Sequence, residues 1–501
     1  MAAERMRDII SRARQLMDDG EYRKAFDLII DHPVEDARDL FNKIACLTDI
    51  GFVLRDEKVL RYGIYLLENH GEEIALVPEY TPFVYINLAN QYANMGALYS
   101  FNDDYWSYYR ESELDRAKNC YLKALEADDL EPALKGEIYG NLASVYLNLG
   151  RRWEALECYE NALSQHGADR NYLEKKCSLM LEMAHFNDEN RQTLFREVYA
   201  RAGEILADRE DYALQERFAS MTEYLETRLS TEEKGEEEIY PSGTLETEDS
   251  FQHYYVGFCV KNRLYVNICS FCCRCDYALG DRAVFDSRRF QLQRGEGNYY
   301  KLVSGFNRLK ERYMAGRYLL GVAGFEEGSL AFAEMLAPRA KLRDYKEQTI
   351  NETLCETAFV TGWEIIESIG PLLALYLDGK SHFSGSLGEL FEEEGEFMEM
   401  VRREKHPSLH GVYNIYYDLR KGIYAYLYHM NGTLRRPFTD ELSLQTYPKK
   451  GQLESTILLY RNLRNMIIYL MSLFDSRETE WHGEADFQLF SFHLPDSLIY
   501  K

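Results

Sequence analysis

The sequence lacks three features that would place a protein at a membrane, in a secretory pathway or on nucleic acid. Its longest uninterrupted apolar run, near Pro371, is about half of what a membrane-spanning helix needs. Its N-terminus, MAAERMRDII, does not have the pattern of a secretory signal. Lysines and arginines number 58 against 83 acidic residues, which gives a formal charge of −25. We therefore expect a cytoplasmic protein without broad nucleic-acid binding, because an acidic surface repels phosphate.

Cysteine is not abundant, and most of the ten cysteines are scattered. Scattered cysteines are typical of buried apolar positions in a reducing compartment: Cys46, Cys120, Cys158, Cys177 and Cys355. Four others lie within seven residues: Cys269, Cys272, Cys273 and Cys275.

The two-residue gaps from Cys269 to Cys272 and from Cys272 to Cys275 would let these thiolates reach one structural zinc ion. No second Cys-x-x-Cys or His-x-x-His pair follows at the usual distance. Zinc and a set of small buried thiols therefore both remain open. A redox role is disfavoured, because nothing nearby in the sequence would lower a thiol pKa.

A chain of 501 residues is too long for one hydrophobic core and indicates at least two domains. Residues 230–250 are acidic and aperiodic and contain Pro241 and Gly243, which is typical of an exposed linker. We predict a mainly α-helical protein. It would have a repeat domain over 1–229, this linker over 230–250, and a helical domain over 251–501 that opens with the short Cys-rich segment.

Residues 137–166 carry the pattern of a helical hairpin. Small residues such as Ala143 and Ala155 let two helices approach, large ones fill the space between them, and Gly150 turns the chain. The stretch resembles a tetratricopeptide repeat at these positions: Tyr139, Leu142, Ala143, Tyr146, Gly150, Ala155, Tyr159 and Ala162. Further repeats are expected on either side of an aromatic insert and towards the N-terminus: 10–30, 39–70, and 82–96 with 114–128. Amphipathic helices continue to about 229.

The resemblance implies an α-solenoid with a groove that binds a protein or peptide partner. Asn87, Asn90 and Asn141 fall on positions that face the groove in this repeat family. Asparagines there can bind a peptide backbone or a terminal carboxylate. The alternative is that they only solvate the inner face.

Residues 455–482 are predicted to form a long two-faced helix. One face is an apolar stripe at helical spacing: Leu459, Leu463, Met466, Ile467, Leu470, Leu473 and Phe474. The opposite face carries polar residues: Arg461, Arg464, Asn465 and Ser472, with Tyr469 at its edge. Ser455 is suited to cap the N-terminus of this helix, and the helix is expected to end just before His482.

The run Arg464-Asn465-Met466-Ile467-Ile468-Tyr469 resembles the Arg-Asn-x-x-x-His signature of the HEPN superfamily. Segments 255–281 and 406–424 resemble other parts of its LA2681-like group, the second through His406-Pro407-Ser408-Leu409, Tyr413 and Asp418-Leu419. The resemblance covers residues 250–501. It implies a helical bundle that forms homodimers, and in most members a ribonuclease that needs no metal or other cofactor.

In active members of the superfamily, an arginine and a histidine of two protomers face each other across the dimer. Arginine stabilises charge on the scissile phosphate, and histidine transfers a proton because its pKa lies near neutrality. Here Tyr469 replaces the histidine, and a phenol with a pKa of about 10 is a poor base. His410 and His482 are candidate substitutes, although a lone histidine is more often an ordinary surface or packing residue.

Residues 289–323 interleave arginines and lysines with aromatic residues. Such a stretch can bind RNA through phosphate contacts and base stacking. The commoner interpretation, which we favour slightly, is a solvated helix face.

Two functions follow from the resemblances. In the first, the repeats dock a partner and a dimeric HEPN-like domain cleaves RNA, as a toxin in a prokaryotic antiviral defence or stress system. In the second, the domain only dimerises or binds RNA, and the protein is a non-catalytic adaptor. The retained Arg464-Asn465 pair favours the ribonuclease, whereas Tyr469 and the acidic charge favour the adaptor.

Overall fold

The computed structural model is mainly α-helical, and no strand occurs among the residues that it describes. Those residues are 6–34, 36–77, 80–100, 106–127, 129–165, 171–184, 188–207, 212–229, 250–267, 279–281, 283, 297–325, 349–378, 383–392, 395–435 and 451–482. The chain divides into two compact units, Met1–Lys176 and Cys177–Lys501. Apart from Ser250, the predicted linker over 230–250 lies outside the described residues.

The first unit is a series of helix pairs. Its helices are α1 (Met6–Asp18), α2 (Tyr22–Ile30), α3 (Ala37–Leu54), α4 (Glu57–Ala75), α5 (Thr81–Tyr99), α6 (Glu113–Ala124), α7 (Pro132–Asn148) and α8 (Arg152–Leu163), followed by α9 (Asn171–Ala184). Each odd-numbered helix from α1 to α7 packs on the next helix in the chain. In addition, α1 contacts α3, α3 contacts α5, and α5 contacts α7. The first helices of neighbouring pairs therefore lie side by side.

Local sequence explains where these helices begin and turn. Asp36, Asp56 and Ser112 accept hydrogen bonds from backbone N–H groups in the first turns of α3, α4 and α6, which satisfies donors that a helix start leaves open. Gly20 and Gly150 have φ of +79° and +77° at the turns after α1 and α7, a conformation that glycine adopts without strain.

The aromatic insert between α5 and α6 packs on its own repeats where the structure describes it. Tyr108 is buried, and Ser107 Oγ donates to the carbonyl oxygen of Asn148 over 2.6 Å. Tyr108 and Ser107 therefore anchor the described part of the insert to the first unit.

The second unit is built around a bundle. Its further helices are α10 (Asp188–Ala207), α11 (Tyr212–Glu226), α12 (Ser250–Lys261), α13 (Gly297–Ala323), α14 (Ile350–Asp378), α15 (Leu387–Leu390), α16 (Glu396–Arg403), α17 (Pro407–Arg420), α18 (Ala425–Leu434) and α19 (Gln452–His482). Helices α13, α14 and α19 all contact one another, and α17 also packs on α19. The core of the bundle therefore surrounds the helix that carries the Arg-Asn pair.

The expected bounds of α19 are wrong at both ends. The helix begins at Gln452, three residues before Ser455, directly after Gly451 with its φ of +102°, and it includes His482. Much of its polar face is buried as well as its apolar stripe: Arg464, Asn465 and Tyr469 are nearly inaccessible, whereas Arg461 and Ser472 stay partly exposed. Neighbouring helices and the segment 264–267 cover that face.

In the described part of the chain, α14 is the one helix whose length and composition would allow it to cross a membrane. However, 56% of its most apolar window is buried within the protein. Such burial is typical of the core helix of a soluble protein. The cytoplasmic location stays a prediction.

Candidate functional site

A groove of about 400 Å³ lies in the first unit. It is lined by residues of α3, α5, α6 and α7. Among the described residues, amide side chains dominate its polar lining: Asn90, Asn94, Asn141 and Asn148. Asn90 and Asn94 are one helical turn apart on α5, and Asn141 and Asn148 are two turns apart on α7, so each pair shares a face of its helix.

A buried tyrosine orients one of the two central amides. Tyr121 of α6 donates its hydroxyl to Asn90 Oδ1 over 2.5 Å, and Tyr121 and Asn141 both line the groove. Burial raises the pKa of the Tyr121 hydroxyl, so the group stays protonated and remains a donor. Tyr121 thereby ties α6 to α5 beside the groove and fixes the orientation of the Asn90 amide.

The structure separates the predicted groove residues. Asn90 and Asn141 line the groove together, but Asn87 is not among the lining residues, and its amide donates to the Phe83 carbonyl of its own helix over 2.9 Å. Asn94 and Asn148 also line the groove, although they were not predicted from the sequence. Their signal was present, because they continue the faces of Asn90 and Asn141 at spacings of four and seven residues.

The remainder of the lining adds one charge and one large apolar side chain on α3. Asp49 is the charged residue among the described lining residues. Phe52, three residues later, also lines the groove, and 63% of it is exposed. Amides donate and accept hydrogen bonds at once, as peptide groups do, so the lining matches an extended backbone with an apolar side chain.

The second candidate site is the Arg-Asn pair on α19. Arg464 is 4% exposed. Its Nε donates to the Tyr265 carbonyl over 3.1 Å, its Nη2 to the Asn267 carbonyl over 3.0 Å, and its Nη1 to Asn465 Oδ1 over 2.6 Å. The guanidinium therefore fastens the segment 264–267 to α19.

A second buried arginine holds the same segment. Arg317 of α13 donates to the Leu264 carbonyl over 3.1 Å and forms two 2.7 Å bonds with the carboxylate of Asp281. Burial lowers the pKa of Arg317, but the adjacent Asp281 outweighs this effect and raises it. Lys310 donates to the carbonyls of Asp281 and Ala283 over 3.0 and 2.6 Å. Arg317 and Lys310, two basic residues of the stretch 289–323, therefore donate hydrogen bonds to acceptors within the protein.

The other candidate residues of the motif lie in different surroundings. Tyr469 is buried, one turn beyond Asn465 on α19. His410 is half-buried near the start of α17, with Nε2 2.7 Å from the Glu404 carbonyl oxygen. The side chain of His482 lies outside what the structure describes. The structure thus joins Arg464 to Asn465 directly.

Cys269, Cys272 and Cys275 also lie outside the described residues. Within the described ranges, no group of three or more histidine, cysteine or acidic side chains is arranged to hold a metal ion. The structural zinc stays a prediction.

Comparisons with known proteins supply no further constraint. No family model, no curated protein and no solved structure matches the chain.

Proposed function

We propose that the protein is a cytoplasmic docking adaptor. Its repeats, of tetratricopeptide type, bind an extended segment of a partner protein in the asparagine-lined groove. Its second unit is a HEPN-like bundle that forms a homodimer and uses the Arg464-Asn465 pair as a structural clamp. The observation that carries the proposal is the groove, in which the buried Tyr121 hydroxyl fixes Asn90 among four asparagines of the described lining.

The amides suit a peptide ligand because they are already oriented. A side chain that is fixed before binding loses less entropy when the ligand arrives. Asn90 accepts a hydrogen bond from a buried hydroxyl, and Asn148 donates to the Ser144 carbonyl over 2.8 Å. The groove therefore offers positioned hydrogen-bonding groups along its length.

The surroundings of Arg464 support an adaptor over an enzyme. To reach a scissile phosphate, the guanidinium would have to leave the carbonyls of Tyr265 and Asn267. Each hydrogen bond lost from a charged donor costs about 1.5–3 kcal/mol. Tyr469 is buried as well, and a phenol is a poor general base.

Retention of the full-length protein on an array of tethered random dodecamer peptides tests the docking role. We expect the wild type to bind a subset of peptides and the Asn90→Ala/Asn141→Ala double variant to bind them at least tenfold more weakly. Asn69→Ala is the matched control, because Asn69 is exposed on α4 and bonds the Tyr65 carbonyl of its own helix. Equal retention of the wild type and the double variant would rule out this groove.

The second candidate function is a metal-independent ribonuclease of a defence or stress system. It is favoured by the 2.6 Å bond between Arg464 and Asn465, which keeps the two motif side chains as a unit. An RNA cleavage assay in EDTA, with wild type, Arg464→Ala and Tyr469→Phe side by side, decides between the functions. The adaptor proposal predicts no cleavage by the wild type. Cleavage that disappears in Arg464→Ala would establish the enzyme.

A structural zinc at Cys269, Cys272 and Cys275 is a separate proposal. It is supported by the two-residue spacing of these cysteines. Metal analysis of the purified protein tests it, and the absence of stoichiometric zinc would contradict it.

A further inference from the structure

The charge of the groove determines which peptide segments it can accept. Asp49 is its charged side chain within the described lining, and the other polar lining groups are neutral amides and hydroxyls. Arg14 of α1 acts on Asp49 electrostatically, but it is not a lining residue. A ligand in the groove therefore meets the carboxylate of Asp49, and none of the described lining residues is a cation that could offset its charge.

This lining is unsuited to an acidic ligand. A carboxylate needs cationic or multiple N–H partners to offset its lost hydration. In the groove, a free C-terminus or an acidic side chain near Asp49 would face a like charge, which disfavours binding. The formal charge of −25 on the chain acts in the same direction, because it attracts basic partners over long range.

Asp49 and Phe52 define a pair of neighbouring contacts. They are three residues apart on α3 and both line the groove, so their Cβ atoms are about 5–6 Å apart. In an extended peptide, side chains two residues apart point the same way at a separation of about 6–7 Å. A basic residue and an apolar residue at positions i and i+2 therefore match Asp49 and Phe52 together.

We propose that the groove binds an extended, internal peptide segment that places a lysine or arginine against Asp49 and an apolar side chain against Phe52. The inference rests on the proposed docking function and specifies its ligand. It excludes acidic segments and free C-terminal carboxylates as preferred occupants.

Fluorescence anisotropy with labelled dodecamer mixtures tests the charge preference on the full-length protein. The mixtures are amidated, contain only uncharged residues at the random positions, and carry lysine, glutamine or glutamate two residues before a fixed leucine. A fourth mixture carries glutamine and a free carboxylate. We expect the lysine mixture to bind about tenfold more tightly than the glutamate mixture, since each charged contact with an exposed carboxylate changes affinity by a few-fold. The preference should shrink at high salt.

Asp49→Asn should reduce the lysine-to-glutamate ratio to about twofold or less. Asp27→Asn is the matched control, because Asp27 is an exposed residue of α2 outside the groove lining, and it should keep the ratio. Three results would overturn the inference and leave the docking function standing. They are a glutamate mixture that binds as tightly as the lysine mixture or more tightly, a free-carboxylate mixture that does so, and a lysine-to-glutamate ratio that Asp49→Asn leaves unchanged. No binding of any mixture by the wild type would overturn both.

Discussion

At the scale of the residue, Arg464 illustrates how a motif can keep its sequence and take a different role. An arginine offers N–H donors in a planar fork, which suits phosphate and also suits backbone carbonyls. Here the fork is occupied by the Tyr265 and Asn267 carbonyls and by Asn465. The sequence identifies the donor, but it cannot show which acceptors lie opposite, because those are about 200 residues away in the chain.

Replacing Arg464 should therefore affect folding directly. We expect Arg464→Ala to lower the free energy of unfolding by about 2–5 kcal/mol, because it removes three buried hydrogen bonds from a charged donor. Urea unfolding followed by circular dichroism measures this change. Arg403→Ala, whose side chain is 79% exposed in a pair with Glu399, should change it by less than about 0.5 kcal/mol. An Arg464→Ala variant as stable as the wild type would contradict the clamp role.

The Arg317–Asp281 pair allows a second test at this scale. Asp281→Asn leaves a buried guanidinium without its countercharge, and we expect a loss of about 3–5 kcal/mol in the free energy of unfolding. The matched control is Glu364→Gln. Glu364 forms a half-exposed ion pair of 2.9 Å with Arg312, which lies on the same helix as Arg317. That change should cost at most about 1 kcal/mol. Similar losses for both variants would show that burial does not distinguish the two pairs.

At the scale of the element, the sequence predicted helices better than their surroundings. Periodicity and the glycine turns located the helix pairs of the first unit, and Ala25, Ala143 and Ala155 are fully buried, as close-packed hairpins require. For α19, the same periodicity separated polar from apolar residues but did not indicate that Arg464, Asn465 and Tyr469 on the polar side are buried. A hydrophobic pattern reports only the strongest apolar stripe, whereas arginine, asparagine and tyrosine can be buried if their polar atoms find partners.

Two glycines of α7 test the packing of helices in the first unit. A Cβ on Gly140 would overlap the ring of Tyr172, whereas a Cβ on Gly136 would make ordinary contacts of 3.4 Å with Ala162 and Gln165. We expect Gly140→Ala to destabilise the protein by about 1–3 kcal/mol through overpacking. Gly136→Ala should be neutral or stabilising by up to about 1 kcal/mol, because alanine favours helix. Urea midpoints that fall equally for both would contradict this packing.

At the scale of the whole molecule, the groove and the Arg-Asn pair belong to different compact units. In the sequence, the repeat pattern and the motif already lie in different halves of the chain. The sequence could not predict the groove's composition fully. Asn94, Asn148, Asp49 and Phe52 reach the groove through the stacking of α3, α5 and α7, which only the folded structure reveals.

Because the groove is formed within the first unit, its binding should not require the second. We expect a fragment of residues 1–184, which ends with α9, to be helical by circular dichroism. It should bind the array-selected dodecamers within about threefold of the full-length affinity. An unfolded fragment, or a folded one that has lost binding, would show that the groove depends on the remainder of the chain.

Hydrogen–deuterium exchange of the full-length protein, with and without the tightest-binding dodecamer of the array, tests the central claim most directly. The account predicts slower exchange on binding in segments that cover α5 (81–99) and α7 (132–148), and unchanged exchange in these segments for the Asn90→Ala/Asn141→Ala variant. Slower exchange confined to Cys177–Lys501, with α5 and α7 unaffected, would contradict the account and move the binding site to the second unit.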